Sequence, residues 1–372
     1  MGLLRLILLL VVMIISGCSQ ELEKPTLEDF GFIGIIGLDY AGKDKFKVTA
    51  TVPRPNTGQN QVTEFYQVVV PIYHEALPKL NRESDRTLTT TQLRVLLISK
   101  EFASKNGVAR VIKALYRDPS IGDALLVAIV DGSCEKLLMQ GSKENKTEIN
   151  TFMNNLLRPR GDTDFIPFTT LQDLIFALTD ETIDPVLPCI KYDEKDKKIR
   201  IVNIALFRDD KLVDTVSMEE GKILFTFFQH MTLTDVSLTI HETIDKGESN
   251  VVLYAIDSKN HIRASGSATS PKINILIKMK CSIIEYTGKK NLEDEDQVDM
   301  VEEAIAKEYE RQVANLVNKL QKLRVDPMFL GEYVRSHQNK KNWSKEKWRN
   351  LFPKAKVTVD AHILVVSSGT IK

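Results

Sequence analysis

The stretch KINILIKMKCSI, residues 272–283, alternates apolar side chains at odd positions with mostly polar side chains at even positions. The odd positions hold isoleucine, methionine and cysteine, whereas the even positions hold lysine, asparagine and serine with a single leucine. Successive side chains of a β-strand point to opposite faces of its sheet. The stretch therefore predicts a strand that buries one face.

A long amphipathic helix is predicted soon after this strand, over residues 298–324. Acidic residues at 293–296 carry negative charge where the helix dipole favours it, and Asp326-Pro327 ends the helix. Lys319 is expected on the solvated face. Side chains that recur at intervals of three and four form the apolar face: Val298, Val301, Ile305, Tyr309, Val313, Leu316, Leu320 and Leu323.

Upstream, strand and helix patterns alternate. A hairpin is predicted over 30–40 and 46–52, and residues 64–82 are interpreted as a helix interrupted by Pro71 and Pro78. Further elements are predicted in this order: strand 93–99, helix 108–117, strand 124–130, and helices 133–140, 148–157 and 170–178. Alternation of this kind indicates a mixed layered domain.

A second hairpin, 198–207 and 211–216, turns at Asp209-Asp210. Its first strand is apolar on both faces, which is typical of a strand covered on both sides. A final alternating strand is predicted over 355–366. The sequence thus predicts an α+β protein of three mixed α/β domains: 18–187, a small middle β-rich domain 188–232, and 233–372.

The N-terminus has the pattern of a lipoprotein signal peptide, residues 1–17. Arg5 precedes ten apolar residues, 6–15, which are too few to span a bilayer of roughly 20-residue helical thickness. Ile15-Ser16-Gly17-Cys18 follows, an aliphatic residue and two small residues before a cysteine. Cys18 is predicted to be lipidated and to anchor the mature chain to a membrane. The alternative is an ordinary signal peptide with a chance cysteine.

Composition excludes several protein classes. Lys plus Arg and Asp plus Glu both number 50, and 43% of residues are hydrophobic, which indicates a globular protein rather than a nucleic-acid binder or a disordered tail. The remaining cysteines, Cys134, Cys189 and Cys281, are odd in number and widely spaced. They are predicted to be free, mostly buried thiols rather than disulfides or zinc ligands.

No catalytic or cofactor motif is found in the sequence. The six histidines lack metal-ligand spacing, and neither a G-x-S-x-G elbow nor a phosphate-binding loop occurs. Gly31, Gly34 and Gly37 have the wrong spacing for a dinucleotide site, and no helix pattern follows them. We therefore expect no enzyme activity, cofactor or metal, although catalysis by residues distant in sequence is not excluded by motifs.

Basic and aromatic residues are concentrated in RSHQNKKNWSKEKWR, residues 335–349. The favoured interpretation is a charged, solvated helix whose tryptophans, Trp343 and Trp348, pack inward. The alternative is a contact with a partner or with lipid headgroups, in which Lys340 and Lys341 would take part.

Several motifs, in a fixed order, resemble the C-subunit lipoprotein family of bacterial spore germinant receptors. Two positions depart from the family pattern: Ser19-Gln20 replaces a tryptophan and an acid after the lipid cysteine, and Phe329 stands where glycine is usual. The motifs after the lipobox are Gly37-Leu38-Asp39, residues 115–119 (LYRDP), 184–188 (DPVLP), 205–213 (ALFRDDKLV), 319–326 (KLQKLRVD) and 331–335 (GEYVR), then Trp343, Trp348 and Phe352-Pro353.

This resemblance implies a three-domain α+β lipoprotein on the outer face of the cell membrane, the inner membrane of the spore. It implies work with a membrane A-subunit and a transporter-like B-subunit in sensing nutrients, with no catalytic residues. The alternative function is a lipid-anchored solute-binding protein of a transporter. The absence of two similar doubly wound halves argues against that alternative.

Overall fold

The computed structural model describes residues 2, 26–54, 62–144, 147–158, 170–228, 235–241, 248–267, 269–337 and 343–367. Cys18 and nearly all of the predicted signal peptide lie outside the described residues. The described chain forms an eight-stranded sheet, a four-stranded sheet and a small two-stranded sheet, with helices against the two large ones. The predicted α+β class is confirmed.

The first half of the chain builds the eight-stranded sheet. Its elements are β1 (Phe30–Phe32), β2 (Ile35–Tyr40), β3 (Phe46–Arg54), β4 (Val62–Val70), α1 (Ala76–Leu80), β5 (Thr87–Thr89), β6 (Val95–Ser99), α2 (Lys100–Lys105), α3 (Ala109–Tyr116), β7 (Leu126–Val130), α4 (Cys134–Glu144), α5 (Ile149–Leu157), α6 (Leu171–Thr179), β8 (Val186–Asp193), β9 (Lys198–Arg208), β10 (Lys211–Val216) and α7 (Met218–Phe225).

Helices cover both faces of this sheet. The strand order is β10-β9-β8-β7-β6-β2-β3-β4, and the central strands β2, β6, β7 and β8 are parallel. Alternate residues of one strand serve opposite faces: Leu96 packs in the core with α2, α3 and α6, whereas Leu97 packs in the core with α4 and α5. Burial on both faces explains why the central strands are almost wholly apolar.

The predicted helix over 64–82 is wrong in its first part. Residues Val62–Val70 form β4, which pairs antiparallel with β3. Thr63, Phe65 and Tyr66, with three successive valines, suit a pleated surface better than a helix. After Pro71, only the 3₁₀ turn Tyr73–Glu75 and the five-residue α1 are helical.

The predicted boundary at 184–188 does not separate two sheets. Strand β8 pairs parallel with β7, Cys189 lying opposite Ile129, and β9 and β10 extend the same sheet. The prediction placed residues 188–232 in a small middle domain. In the structure the strands of this segment instead complete the N-terminal sheet. Parallel pairing between segments about 60 residues apart leaves no mark in the local pattern of either strand.

The second half forms the four-stranded sheet, in the order β11-β12-β13-β14. The alternation in 272–283 is confirmed, since its odd positions are buried and most of its even positions are exposed. The elements are β11 (Asp235–His241), β12 (Glu248–Ser267), β13 (Ser270–Tyr286), α8 (Glu295–Leu323), α9 (Leu330–His337), α10 (Lys345–Leu351), a 3₁₀ turn (Phe352–Lys354) and β14 (Lys356–Ser367).

The apolar stripe of the long helix α8 packs on the inner face of this sheet. Leu320 is completely buried in a core that also contains Ile275 and Ile277. Lys319, in contrast, is not on a solvated face as predicted. It is half-buried, and its Nζ lies 2.9 Å from a carboxylate oxygen of Glu220, at the start of α7.

The same core reaches into the first sheet. Ile204 and Leu206 of β9 belong to the cluster that holds the inner face of the four-stranded sheet. The two sheets therefore share apolar packing along β9. The three cysteines are free and buried, as predicted. Among the described residues, no helix is long and apolar enough to cross a membrane.

Candidate functional site

Asp326, just after α8, is the centre of a buried polar cluster. Only 2% of the residue is exposed, and its carboxylate accepts hydrogen bonds from the backbone N–H groups of Met328, Leu330 and Gly331 and from the indole Nε1 of Trp348. The bond from Gly331 is 2.6 Å long and the bond from Trp348 2.9 Å. The carboxylate thereby satisfies the free N–H groups at the start of α9.

Two opposing effects act on this carboxyl group. Burial raises the pKa of Asp326 to about 7, because a charge is costly away from water, while the hydrogen bonds from Gly331, Trp348 and Leu330 act to lower it. The nearby carboxylate of Asp184 adds to the rise. The balance gives a carboxyl group that titrates near neutral pH inside the protein.

Asp184 and Asp326 hold the two halves of the chain together. The backbone N–H of Asp326 donates to the Asp184 carboxylate at 2.9 Å, and the backbone N–H of Asp184 donates to the Asp326 carbonyl at 3.0 Å. Each aspartate precedes a proline, a position that disfavours helix and favours extended backbone. The loop before β8 is thus tied to the loop after α8.

Two cations of α10 add further contacts between the two halves of the chain. Arg349 donates to both carboxylate oxygens of Asp209, at 2.7 and 3.0 Å, and to Asp184 at 3.1 Å. Lys345 donates to the backbone carbonyls of Ile183 and Asp180, at 2.7 and 3.1 Å. Asp209 has a φ of 57° in the tight turn between β9 and β10, which presents its carboxylate to Arg349.

Aromatic rings fill the space beside these charges. Trp343 stacks on Trp348 with centroids 5.8 Å apart, and Trp348 contacts Phe352 at 5.1 Å. A Cβ at Gly331 would lie 2.7 Å from Nε1 of Trp348, so only glycine fits against the indole. We call this set of residues, with Asp184, Asp209, Asp326, Lys345 and Arg349, the interdomain junction.

The structure corrects the interpretation of residues 335–349. Inward packing of the tryptophans is confirmed, since Trp348 is 3% exposed and Trp343 donates its Nε1 hydrogen to the Glu181 carbonyl at 3.2 Å. The expectation that the whole helix is solvated is wrong for Lys345 and Arg349, which bind the N-terminal half. Lys340 and Lys341 lie outside the described residues.

Phe329, which stands where the resemblance expects glycine, has a left-handed backbone conformation. Its φ is 60°, in the left-handed region that residues with a Cβ adopt only at a cost. Its ring packs edge-on against Phe228 with centroids 5.5 Å apart. At this position the chain therefore adopts a conformation that glycine adopts without cost, and the phenylalanine adds an aromatic contact.

The motif Gly37-Leu38-Asp39 forms a second contact, between β2 of the first sheet and the start of helix α4. The Asp39 carboxylate accepts hydrogen bonds from the backbone N–H groups of Cys134 and Glu135, at 2.8 and 3.0 Å, and from the Ser133 hydroxyl at 3.1 Å. Gly37 allows the approach, since a Cβ there would lie 2.7 Å from Cβ of Cys134. Asp39 thus caps α4 from a neighbouring strand.

An open crevice of about 640 Å³ lies beside this cap, at the carboxyl ends of β2 and β6. Ligands of doubly wound sheets bind in crevices at this edge, usually at a helix N-terminus. Here the chain's own Asp39 occupies the N-terminus of α4. Two of the charged residues that line the crevice, Lys47 and Glu135, form an ion pair at 2.7 Å, and the hydrogen bond from Lys47 lowers the pKa of Glu135.

No group of three or more His, Cys, Asp and Glu side chains that could hold a metal ion occurs among the described residues. The interdomain junction was not predicted as a site, because its members are up to 165 residues apart. The two Asp-Pro pairs, 184–185 and 326–327, were the available signal, and we interpreted them as ends of helices, as a domain boundary at 184–188 and as parts of family motifs, not as a contact with each other.

Comparisons with known proteins identify the family of both halves of the chain. The chain matches two family models, the spore germination protein N-terminal domain over residues 23–192 and the spore germination B3/GerAC-like C-terminal domain over residues 203–369. It is 27% identical to spore germination protein GerQC of Bacillus cereus, over 98% of this chain and 99% of that protein. It is 21% identical to putative spore germination protein YfkR of Bacillus subtilis strain 168, over 98% and 96%.

A solved structure has the same fold. The crystal structure of the GerBC protein superposes with a TM-score of 0.58 and 16% sequence identity, covering 89% of this chain and 96% of that one. The solved structure confirms the fold, and the two family models confirm the resemblance to spore germinant receptor C-subunits across both halves of the molecule. The chain belongs to the GerAC-like family of spore germination proteins.

Proposed function

We propose that this chain is the lipid-anchored subunit of a spore germinant receptor, and that it acts in nutrient-triggered germination through protein contacts rather than catalysis. The observation that carries the proposal is the match of both family domains across residues 23–192 and 203–369. The names of GerQC and YfkR, both spore germination proteins, support the same role.

The internal geometry supports a rigid assembly subunit. Solute-binding proteins close two lobes around a ligand, which needs a hinge that opens. Here a buried hydrogen-bond network and stacked tryptophans lock the halves together at the interdomain junction. The crevice at the sheet edge has its helix N-terminus capped by Asp39. Both features favour a scaffold over a ligand clamp.

The proposed partners are a membrane A-subunit and a transporter-like B-subunit. Lipid on Cys18 would hold the chain at the outer face of the spore's inner membrane, where such partners lie. The lipobox Ile15-Ser16-Gly17-Cys18 supports this placement. Two acyl chains give a stable anchor, because each buried methylene contributes about 0.8 kcal/mol.

Affinity purification from spore membranes tests the proposal. The tagged full chain is expected to carry two further membrane proteins with it, and its deletion should abolish the germination response of one receptor. Calorimetry with the triggering nutrient provides the opposing outcome. Tight, stoichiometric heat from the purified chain, together with recovery of a transporter and no germination defect, would establish a solute-binding protein instead.

A further inference from the structure

The four-stranded sheet has one face that no described element covers. Helix α8 packs on the inner face, where residues such as Ile275 and Ile277 are buried. The opposite face of β12, β13 and β14 is formed by the alternate residues of these strands, most of which are exposed. We call it the outer sheet face.

Cations dominate the middle of this face. Lys278 of β13 lies directly opposite Lys259 of β12 on one side and His362 of β14 on the other. Like charges placed opposite one another across strands are destabilising. Lys259 is paired with Asp257 at 3.1 Å. Asp257 also lies opposite Lys280 across the strands, but neither Lys278 nor Lys280 forms an ion pair within 4 Å among the described residues.

The charge of the outer sheet face differs from that of the whole chain. Six lysine and arginine residues on it stand against four carboxylates, Glu248, Asp257, Glu285 and Asp360, whereas the chain as a whole is neutral. The cations are Lys259, Arg263, Lys272, Lys278, Lys280 and Lys356. A concavity of about 510 Å³ is lined by Lys259, Lys278, Lys280, His362 and Asp257, so that three lysines stand against one carboxylate. Its lining suits an anionic group.

Apolar side chains gather at one end of the same face. Tyr254, Ile256, Ile284, Leu364 and Val366 are each 45–51% exposed, and together they make up five of the twelve large hydrophobic residues exposed in the described chain. Leu364 lies opposite Lys280, so the apolar end adjoins the cationic band. Ile256 is the extra residue of a bulge in β12, between the pairs made by Ala255 and Asp257.

The combination fits the surface of an anionic bilayer. Lysines reach lipid phosphates while their aliphatic stems and neighbouring apolar side chains enter the headgroup region. A second copy of the chain is a poor occupant, because it would bring one cationic band against another. This inference rests on the proposed lipid anchor at Cys18. Cys18 is eight residues from Thr26, which is at most about 28 Å of chain, so the fold stays close to the bilayer.

We propose that the outer sheet face docks on anionic phospholipid, with Lys278 and Lys280 over lipid phosphates and the apolar end around Leu364 in the headgroup layer. The lipid anchor then sets the distance of the chain from the membrane, and the outer sheet face sets its orientation. A fixed orientation presents the remaining surfaces of the subunit to membrane partners in one arrangement.

A tryptophan reporter on the face tests this. The lipid-anchored full chain carrying Tyr254→Trp is placed in vesicles whose acyl chains bear bromine, a quencher of tryptophan fluorescence, and the signal of the parent protein is subtracted. Quenching is expected in phosphatidylglycerol but not in phosphatidylcholine. A reporter at Phe176→Trp, exposed on α6 of the other half, should stay unquenched in both.

Charge variants supply the matched comparison. One lysine near an anionic surface changes membrane partitioning by roughly fivefold, so Lys278→Glu with Lys280→Glu should weaken docking by about 25-fold or more. Lys43→Glu with Lys45→Glu makes the same charge change at an exposed turn of the first sheet and should leave quenching intact. Melting temperatures equal to that of the parent protein would show that both double variants fold. If the glutamate pair does not fold, Lys278→Gln with Lys280→Gln removes the two charges with a milder change.

Flotation of the protein with vesicles tests the lipid anchor separately from docking of the outer sheet face. Protein that floats with neutral vesicles is anchored whatever its orientation, and protein that does not float lacks the anchor. Docking on lipid is overturned if anchored protein shows no reporter quenching in phosphatidylglycerol, or if quenching survives the Lys278 and Lys280 reversal. Shielding of the reporter only when other receptor subunits are present would overturn it in favour of an acidic protein partner.

Discussion

The indole of Trp348 donates a 2.9 Å hydrogen bond to the carboxylate of Asp326, and both residues are almost completely buried. Through Asp184, the same cluster reaches the loop before β8 in the N-terminal half. Trp348, which lies in the basic stretch 335–349, is therefore part of the interdomain junction. Disruption of the interdomain junction should therefore lower the stability of both halves of the chain.

Gly331→Ala tests the fit of this clamp. The new Cβ would lie 2.7 Å from Nε1 of Trp348, so the indole must shift away from Asp326. We expect a loss of about 1–3 kcal/mol in the free energy of unfolding, the usual cost of overpacking. Gly122→Ala is the control, because nothing lies within 4 Å of its added Cβ. Equal denaturation midpoints for the two variants would contradict the packing described.

Asp326→Asn should change how stability depends on pH. In the folded protein burial raises the pKa of Asp326 to about 7, well above the value of about 4 expected in the unfolded chain. Between these values the folded state holds a proton that the unfolded state has released. The contribution of this proton to stability is complete below pH 4 and is lost as the pH rises to 7.

The comparison is made by chemical denaturation across pH 4 to 7. Relative to the asparagine variant, the wild-type protein should lose stability on the order of a few kcal/mol over this range. Any change in the free energy of unfolding that the substitution causes equally at every pH does not affect the slope of stability against pH. Parallel curves for the two proteins would mean that Asp326 is ionised throughout the range.

Leu320→Asp should unfold the C-terminal half, since Leu320 is fully buried between α8 and the four-stranded sheet. Burial of an unpaired carboxylate costs several kcal/mol, which is comparable with the stability of a whole domain. Lys322→Asp, at an exposed position of the same helix, is the matched control and should be nearly silent. Lys319 is unsuitable as a control because it pairs with Glu220. Thermal melting should separate the two variants clearly.

Cys18→Ala should abolish lipid attachment, because no other lipobox residue carries a thiol. Metabolic labelling with a fatty acid measures this directly, with Ser19→Ala as the neighbouring control. The protein should also leave the membrane fraction, and germination through its receptor should weaken. Label on the alanine variant would place the anchor elsewhere.

Local pattern was enough to predict several elements. The alternation of 272–283 and the three-and-four spacing along α8 report which side of an element is buried, and both were confirmed. The same kind of reasoning failed for β4, where two prolines suggested a broken helix. Strand pairing with β3 decided that segment, and its residues carry no record of a partner.

The sequence by itself determined the α+β class, the buried faces of the C-terminal strand and helix, the three buried thiols and the family. Only the tertiary structure decided that residues 188–216 complete the first sheet and that Asp184, Asp326 and Trp348 meet. Periodicity shows that a face is buried but not what buries it. Asp184 and Asp326 are 142 residues apart, and only the packing of two separately formed sheets brings them within hydrogen-bonding distance.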